Sequence, residues 1–389
     1  MKYDFDKVID RNGTAAVKLE EAKEVWGRAD LIPLWVADMD FATAPFVTEA
    51  IRKRCENEVL GYTGKPDSYY NAIINWVKQR YDLTVAKEMI NFVPGIVPGI
   101  GMAMNCFTQK GDKVMIQPPV YHPFAWVTTR NERTLVINPL RWENGMYRMD
   151  LDAFREQIKG CKLFILCNPH NPGGVVWTEA ELRAIADICY DEKVLVFSDE
   201  IHADLTLPPH THRPFATVSE KARMNSVTFM SPSKAFNMPG LSASHALIFN
   251  EDLRKRFRIY MDAGELDMGH VFAFLSVEAA YSHGTEWLDQ CLAYIQGNID
   301  FVDEFLKNHT PKIKAIRPEA SYLVWLDCRE LGLSQKDLND FFVDKAHLAL
   351  NDGEMFGKEG VGFMRLNVAS PRCIIEKAMK QLADAYQLI

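Results

Sequence analysis

Short apolar segments alternate with helical segments between about residues 85 and 250, and this alternation restricts the possible folds more than any other feature of the chain. The apolar segments are continuous rather than alternating with polar residues, which is typical of strands buried on both faces. The pattern predicts an α/β fold with a mostly parallel sheet. The predicted strands are KVMIQ (113–117), TLVIN (134–138), KLFILCN (162–168), VLVFSD (194–199), SVTFM (226–230) and SHALIF (244–249).

The pattern changes after about residue 285, where a long helical stretch (287–309) leads to a strand, SYLVWLD (321–327). We therefore predict a large domain over residues 51–285 and a smaller α+β domain over residues 286–389. Residues 1–50 are expected to form an N-terminal segment that packs with the small domain. The length of 389 residues is consistent with two domains around sizeable cores.

Charge and cysteine usage narrow the functional class. The net charge of −8 disfavours nucleic acid or an anionic membrane as the main partner. The N-terminus MKYDFDKVID has no apolar run, so no secretory signal is expected, and no segment reaches the length of a membrane span. The 8 cysteines form no C-x-x-C pair, which favours buried thiols in a reducing cytoplasm.

Chemically active residues follow several of the predicted strands. Asp199 ends VLVFSD, Asn171 lies in CNPHNPGG (167–174), and Lys234 lies in SPSKAFNMPG between two apolar strands. Ligands of open α/β sheets bind beyond the carboxyl ends of the strands. A lysine at the end of a buried strand is costly, so a functional reason for Lys234 is expected.

Three further stretches fit the same edge of the sheet. The loop VPGIVPGIG (93–101) could cradle a phosphate on backbone amides, although it lacks the ending of a Walker A motif. Tyr121 lies in PPVYHPF, and Arg365 lies in an apolar strand where it requires a carboxylate from the protein or from a substrate. Each feature alone also fits an ordinary turn, cap or ion pair. Together they predict pyridoxal 5′-phosphate, which needs a lysine, an acid, a phosphate site and an aromatic ring.

The same motifs, in this order, carry a resemblance to a known family. Tyr121, NPHNPGG, DEIH, SPSK and MRLNV resemble the fold-type I pyridoxal-phosphate enzymes of the aspartate aminotransferase superfamily, over nearly the whole chain. LIPLWVADMDF (31–41), GYT (61–63) and DEIHADL (199–205) are similar to the bacterial cystathionine β-lyase or C–S lyase branch.

The resemblance implies a role for each matching residue. Lys234 would hold the cofactor covalently and act as catalytic base, and Arg365 would bind the substrate carboxylate, with Trp35 also at the substrate site. The implied cofactor contacts are Asp199 on the ring nitrogen, Asn171 and His202 on the ring 3′-oxygen, Tyr121 stacked on the ring, and the backbone of Ile96 and Val97 with the Ser231 hydroxyl on the phosphate. Tyr62 would reach the phosphate of a neighbouring subunit, which implies a homodimer with shared sites.

Two positions depart from the aminotransferase pattern. His202 stands where a tyrosine is usual, and Ser242 stands where the family usually has a phosphate-binding arginine. The group that supplies positive charge near the phosphate is therefore left open.

The implied activity is α,β-elimination of cystathionine or a cysteine-type substrate to pyruvate, ammonia and a thiol. One alternative is a class I or II aminotransferase, and another of a different class is a regulatory role through protein interaction. A metal site on His202, His210 and His212 is disfavoured, because the His210–His212 loop is rich in proline and lacks a set of carboxylates. No metal is expected, and the enzyme is expected to be cytoplasmic.

Overall fold

The computed structural model describes residues 2–388. Its α-helices are α1 Val17–Trp26, α2 Pro45–Cys55, α3 Asp67–Tyr81, α4 Ile96–Phe107, α5 Pro123–Arg130, α6 Leu151–Gln157, α7 Glu179–Asp191, α8 Glu220–Met224, α9 Glu251–Ala263, α10 Val271–His283, α11 Thr285–His309, α12 Gln335–Asp340 and α13 Arg372–Tyr386. Its strands are β1 Ile32–Pro33, β2 Ile90–Val93, β3 Lys113–Ile116, β4 Thr134–Ile137, β5 Arg141–Glu143, β6 Met146–Arg148, β7 Cys161–Cys167, β8 Leu195–Asp199, β9 Ser226–Met230, β10 Ser244–Leu247, β11 Lys314–Ile316, β12 Leu323–Asp327, β13 Leu348–Ala349, β14 Asn351–Asp352 and β15 Phe363–Asn367.

The larger sheet has seven strands in the order β2-β10-β9-β8-β7-β3-β4. The neighbours β4, β3, β7, β8 and β9 pair in parallel, and β10 pairs antiparallel with both β9 and β2. All of the predicted strands between residues 113 and 249 lie in this sheet. The predicted fold class, a mostly parallel sheet within an α/β architecture, is confirmed.

The second sheet is smaller and antiparallel, with the order β11-β12-β15-β14. The N-terminal strand β1 pairs in parallel with β13, so that Ile32 lies opposite Leu348. This pairing supports the expected packing of the N-terminal segment on the C-terminal part of the chain. The domain boundaries themselves stay a prediction.

Burial on both faces explains the continuous apolar strands. In β8, Val196 packs into the core on one side of the sheet and Phe197 packs into the core on the other. Helix α4 approaches the sheet closely at Gly99, where a Cβ would lie 2.9 Å from a Val93 methyl group. Asp199, the last residue of β8, therefore lies at the carboxyl edge of the sheet, next to the apolar core.

No helix within residues 2–388 is long and apolar enough to cross a bilayer. The cysteines at positions 55, 106, 161, 167, 189, 291, 328 and 373 are all free thiols, and most are buried.

Candidate active site

A cavity of about 210 Å³ lies at the carboxyl edge of the larger sheet. We call it the strand-end cavity. It brings together side chains from β7, β8, the β9–β10 connection and the start of α4. Its lining includes most of the predicted site residues, namely Ile96, Val97, Tyr121, Asn171, Asp199, His202 and Lys234, together with Ala37, Cys167, Ser233, Ser242 and Ser244.

Lys234 follows β9, and its Nζ donates a hydrogen bond to the backbone carbonyl of Ala37. Burial and, to a smaller extent, the nearby charge of Arg365 lower the pKa of Lys234 to about 8, although Asp38 and Asp199 oppose the shift. A substantial fraction of the amine is therefore neutral near pH 8. Lys234 has the protonation behaviour required of a base that accepts a proton from a substrate carbon.

Asp199 is buried at the end of β8, where one carboxylate oxygen accepts a hydrogen bond of 3.1 Å from the backbone N–H of Ile201. Burial raises the pKa of Asp199 to about 7, and the charge of Glu200 adds to this effect, although Lys234 opposes it. A buried carboxylate of this kind favours a cationic or proton-donating partner in the cavity.

Arg365 lies on β15 and is almost fully buried, yet no carboxylate of the described chain binds it. It donates to Asn171 Oδ1 at 3.2 Å, to Asn351 Oδ1 at 2.5 Å and to the carbonyl of Trp35 at 3.0 Å. Its Nε is buried without a hydrogen-bond partner within residues 2–388. Burial lowers the pKa of Arg365 to about 10, because no anion compensates the charge. The arrangement suits a ligand carboxylate next to Asn171.

Tyr121 and His202 also line the strand-end cavity. Burial raises the pKa of the Tyr121 hydroxyl, so the ring is a neutral aromatic surface. Burial lowers the pKa of His202 to about 3, so its imidazole is neutral at physiological pH. Its Nδ1 is buried and has no hydrogen-bond partner in the described chain, which is an unsatisfied polar atom beside the cavity.

The first turn of α4 forms the end of the cavity. Ile96 and Val97 begin the helix after Gly95, and no side chain caps this N-terminus. Free backbone amides and the positive end of the helix dipole attract a phosphate. Among the lining residues within 2–388, Lys234 alone has a cationic side chain, and Ser233, Ser242 and Ser244 contribute hydroxyl groups to the lining.

The structure places Ser233, and not the predicted Ser231, in the lining of the strand-end cavity. The hydroxyl of Ser231 donates to the carbonyl of Ala243 at 2.7 Å and does not line the cavity. Ser233 lines it instead, and its place directly before Lys234 was the signal that could have identified it. The phosphate contact of Ser231 stays a prediction.

Tyr62 and Trp35 lie away from the strand-end cavity of this chain. Tyr62 is 98% exposed in the loop between α2 and α3. The Trp35 indole donates to the carbonyl of Lys18 at 2.9 Å and packs edge-on against Trp26, so only its backbone carbonyl reaches Arg365.

The histidines considered for a metal bind separate carboxylates. His212 lies 2.8 Å from Glu200 in a buried pair, whereas His210 lies 3.7 Å from Glu319. Over residues 2–388 no group of three metal-binding side chains is present.

The chain is similar in sequence and in structure to several known proteins. The family model described as aminotransferase class I and II matches residues 29–382. The chain is 38% identical to cystathionine beta-lyase PatB of Bacillus subtilis (strain 168), over 98% of this chain and 99% of that protein. It is similar to the crystal structure of cystalysin from Treponema denticola, which contains pyridoxal 5′-phosphate, with a TM-score of 0.96 and 33% identity over 100% of this chain and 99% of that one. It is also similar to the pyridoxal-phosphate-bound C–S lyase from Staphylococcus hominis, with a TM-score of 0.91 and 34% identity over 99% and 98% of the two chains.

Proposed function

The chain belongs to the class I and II aminotransferase family, and from this premise we propose that it is a pyridoxal-phosphate-dependent carbon–sulfur β-lyase. The family predicted from the motifs is confirmed. The observation that carries the proposal is a single cavity that is lined by Lys234 and Asp199. Its lining residue Asn171 accepts a hydrogen bond from Arg365, a buried cation that has no carboxylate partner within residues 2–388. The similarity to a cystathionine beta-lyase over almost the full length favours the lyase within the family.

The cofactor is pyridoxal 5′-phosphate, as predicted, and the residues of the strand-end cavity fit it. The uncapped start of α4 would hold the phosphate, and the face of Tyr121 would cover the ring. Asp199 would bind the ring nitrogen, and the amide of Asn171 with the unpartnered His202 would hold the ring oxygen. Bound at Lys234, the cofactor supplies an electron sink for charge that develops at the α-carbon of an amino acid.

The chain's own residues perform three tasks in the proposed elimination. Arg365 fixes the substrate carboxylate, which orients the α-carbon. Lys234 takes the α-proton as a neutral amine, consistent with its lowered pKa. The Cα–H and Cβ–S bonds break, the thiol leaves, and one water converts the remainder to pyruvate and ammonia.

A product assay separates the lyase from an aminotransferase on the same fold. We expect L-cystathionine alone to give equal amounts of pyruvate, ammonia and homocysteine. We expect an amino acid supplied with a 2-oxo acid to give little new amino acid by comparison. Rapid formation of a new amino acid, with no free thiol from cystathionine, would contradict the proposal.

We further propose a homodimer in which Tyr62 contributes to the neighbouring subunit's site. Support comes from the exposure of Tyr62 together with Val59 (72%) and Leu60 (61%), a run of apolar side chains that is unusual for a free loop. A hydrogen bond from a tyrosine hydroxyl to a phosphate strengthens the binding constant by about ten- to a hundredfold. Tyr62→Ala should therefore weaken cofactor binding and lower activity by about that factor.

Mixed dimers test whether the sites are shared. Subunits with Lys234→Ala should lack activity alone, and subunits with Tyr62→Ala should keep only the small residual activity that a loss of about ten- to a hundredfold leaves. Mixed together, they should regain roughly a quarter of wild-type activity, because half of the dimers hold one intact site of two. Mixing Lys234→Ala with Asp199→Asn is the matched control, since both residues line the same chain's cavity and no intact site can form. Equal activity in the two mixtures would show that Tyr62 serves the site of its own subunit, and full activity of Tyr62→Ala alone would show that it serves neither site.

The cytoplasm is the compartment that we propose, because the unpaired thiols of this chain suit a reducing environment.

A further inference from the structure

A second cavity adjoins the strand-end cavity on the side of the N-terminal segment. It measures about 810 Å³, and we call it the N-terminal cavity. Ala37, Lys234 and Pro239 line both cavities, so the two meet at the reactive lysine. A substrate held at Lys234 therefore has room to extend its side chain into the N-terminal cavity.

The walls of the N-terminal cavity are of two kinds. One part is apolar and suits the methylene groups of an extended side chain. The apolar lining includes Ile9, Val17, Val36, Phe41, Ile51, Met238 and Leu241. The other part is polar and includes the charged side chains of Arg11, Asp38 and Asp40, besides Lys234 and the uncharged Thr43, Thr48 and Asn237.

The charged part presents a cation and two anions side by side. Arg11 donates to Asp38 at 2.7 Å and to Asp40 at 3.1 Å, and its side chain remains 26% exposed. These bonds use two of the five N–H donors of a guanidinium, so Arg11 retains donors for another carboxylate.

Lys18 pairs with the same two carboxylates, Asp38 and Asp40, from within the protein core. It is fully buried, lies 2.7 Å from Asp40 and 3.7 Å from Asp38, and does not line the N-terminal cavity. Since Lys18 already supplies a buried counter-charge, Arg11 is the outer cation that faces the cavity.

The cluster adjoins, along the chain, the residue that Lys234 contacts. Asp38 directly follows Ala37, whose carbonyl accepts the hydrogen bond from Lys234. In an extended thioether, the sulfur and a distal amino-acid head lie roughly 5 Å apart. A head group carrying both an ammonium and a carboxylate is complementary to Asp38, Asp40 and Arg11 in one place.

We propose that Arg11, Asp38 and Asp40 form a subsite for the amino-acid head at the far end of the substrate. This inference rests on the proposed lyase function and specifies its substrate class. The enzyme then selects thioethers whose leaving thiol is itself an amino acid over cysteine and simple S-alkylcysteines. Arg11 binds the distal carboxylate, and the two aspartates bind the distal ammonium.

Four substrates that share one carbon chain test the proposal. They are L-cystathionine, S-(3-carboxypropyl)-L-cysteine without the distal ammonium, S-(3-aminopropyl)-L-cysteine without the distal carboxylate, and S-propyl-L-cysteine without either. For the wild-type holoenzyme we expect kcat/KM, measured by pyruvate release, to fall about tenfold for each charge removed. The change should lie mainly in KM, because the tail is remote from the reacting bonds.

Arg11→Gln should abolish selection for the distal carboxylate. The ratio of kcat/KM for cystathionine to that for the aminopropyl compound should fall from about ten to about one. Arg11→Lys, which keeps the charge, should retain part of the ratio. A ratio taken within one variant cancels any general loss caused by a loosened N-terminal segment. Arg28→Gln is the matched control, because Arg28 binds Asp30 and Asp344 outside the N-terminal cavity, and it should keep the wild-type ratio.

Binding provides a second measurement. Calorimetric titration of cofactor-loaded Lys234→Ala protein with the four compounds should rank their dissociation constants in the same order. Equal ratios in wild type and Arg11→Gln, with pyruvate formed from all four compounds, would overturn the subsite alone. Absence of pyruvate from every thioether would instead overturn the lyase function on which the subsite rests.

Discussion

Replacing Lys234 by alanine is expected to reduce pyruvate formation from cystathionine by roughly 10⁴-fold or more, because the variant loses both the cofactor attachment and the base. The amine lies at the junction of the two cavities, and the strand-end cavity offers no other amine within the described chain. The measurement is the steady-state rate of pyruvate release with saturating cofactor. The visible absorption band of the lysine-bound cofactor should disappear in the same variant.

Lys110→Ala is the matched control for this experiment. Lys110 is 73% exposed and pairs with Glu132 at the surface, so the control should keep wild-type turnover. The far-ultraviolet circular dichroism of Lys234→Ala should match the wild type, which separates lost chemistry from lost folding. Pyruvate release near the wild-type rate in Lys234→Ala would refute the assignment.

Replacing Asp199 by asparagine is expected to change activity and stability in opposite directions. In the holoenzyme, turnover should fall by about 10³-fold, because a carboxylate no longer stabilises a protonated ring nitrogen. In the cofactor-free protein at pH 8, the free energy of unfolding should rise by about 2 to 4 kcal/mol, because a buried ionised carboxylate is removed. Asparagine keeps an oxygen for the Ile201 N–H, so the local hydrogen bond is retained.

The stability gain has a defined pH dependence. The pKa of Asp199 is raised to about 7 in the folded protein from an ordinary value of 3.8. Between these values the folded state binds more protons than the unfolded state, so the wild-type protein loses stability as the pH rises through this window. The free energy of unfolding of Asp199→Asn should therefore exceed that of the wild type only slightly near pH 4. The excess should reach its full value above about pH 7.

Denaturant unfolding of both cofactor-free proteins at the two pH values gives the measurement. The exposed Asp152→Asn provides the control and should change stability by less than about 0.5 kcal/mol at either pH. A variant that is less stable than wild type at pH 8 would show that the Asp199 carboxylate is satisfied within the free protein.

The fold could be read from the sequence because its strands are apolar on both faces. Segments such as SVTFM coincide with β9, and the end of VLVFSD coincides with the end of β8. The strand β2 (Ile90–Val93) and the hairpin of β5 and β6 were not predicted. The segment Arg141–Arg148 is polar and largely exposed or half-buried. Short or mixed segments carry too little periodicity to separate strand from loop.

The sequence by itself determined the parallel sheet, the family and the polar residues at or just after the strand ends, such as Asp199 at the end of β8 and Asn171 in the loop after β7. These follow from local patterns, since a strand, its turn and its terminal polar residue are adjacent in the chain. Only the tertiary structure decided that Arg365 has no acidic partner among the described residues and that Lys234 contacts Ala37. It also decided that Arg11 pairs with Asp38 and Asp40. Residues 37 and 234 are far apart in the chain, and burial and charge balance depend on which distant groups folding brings together.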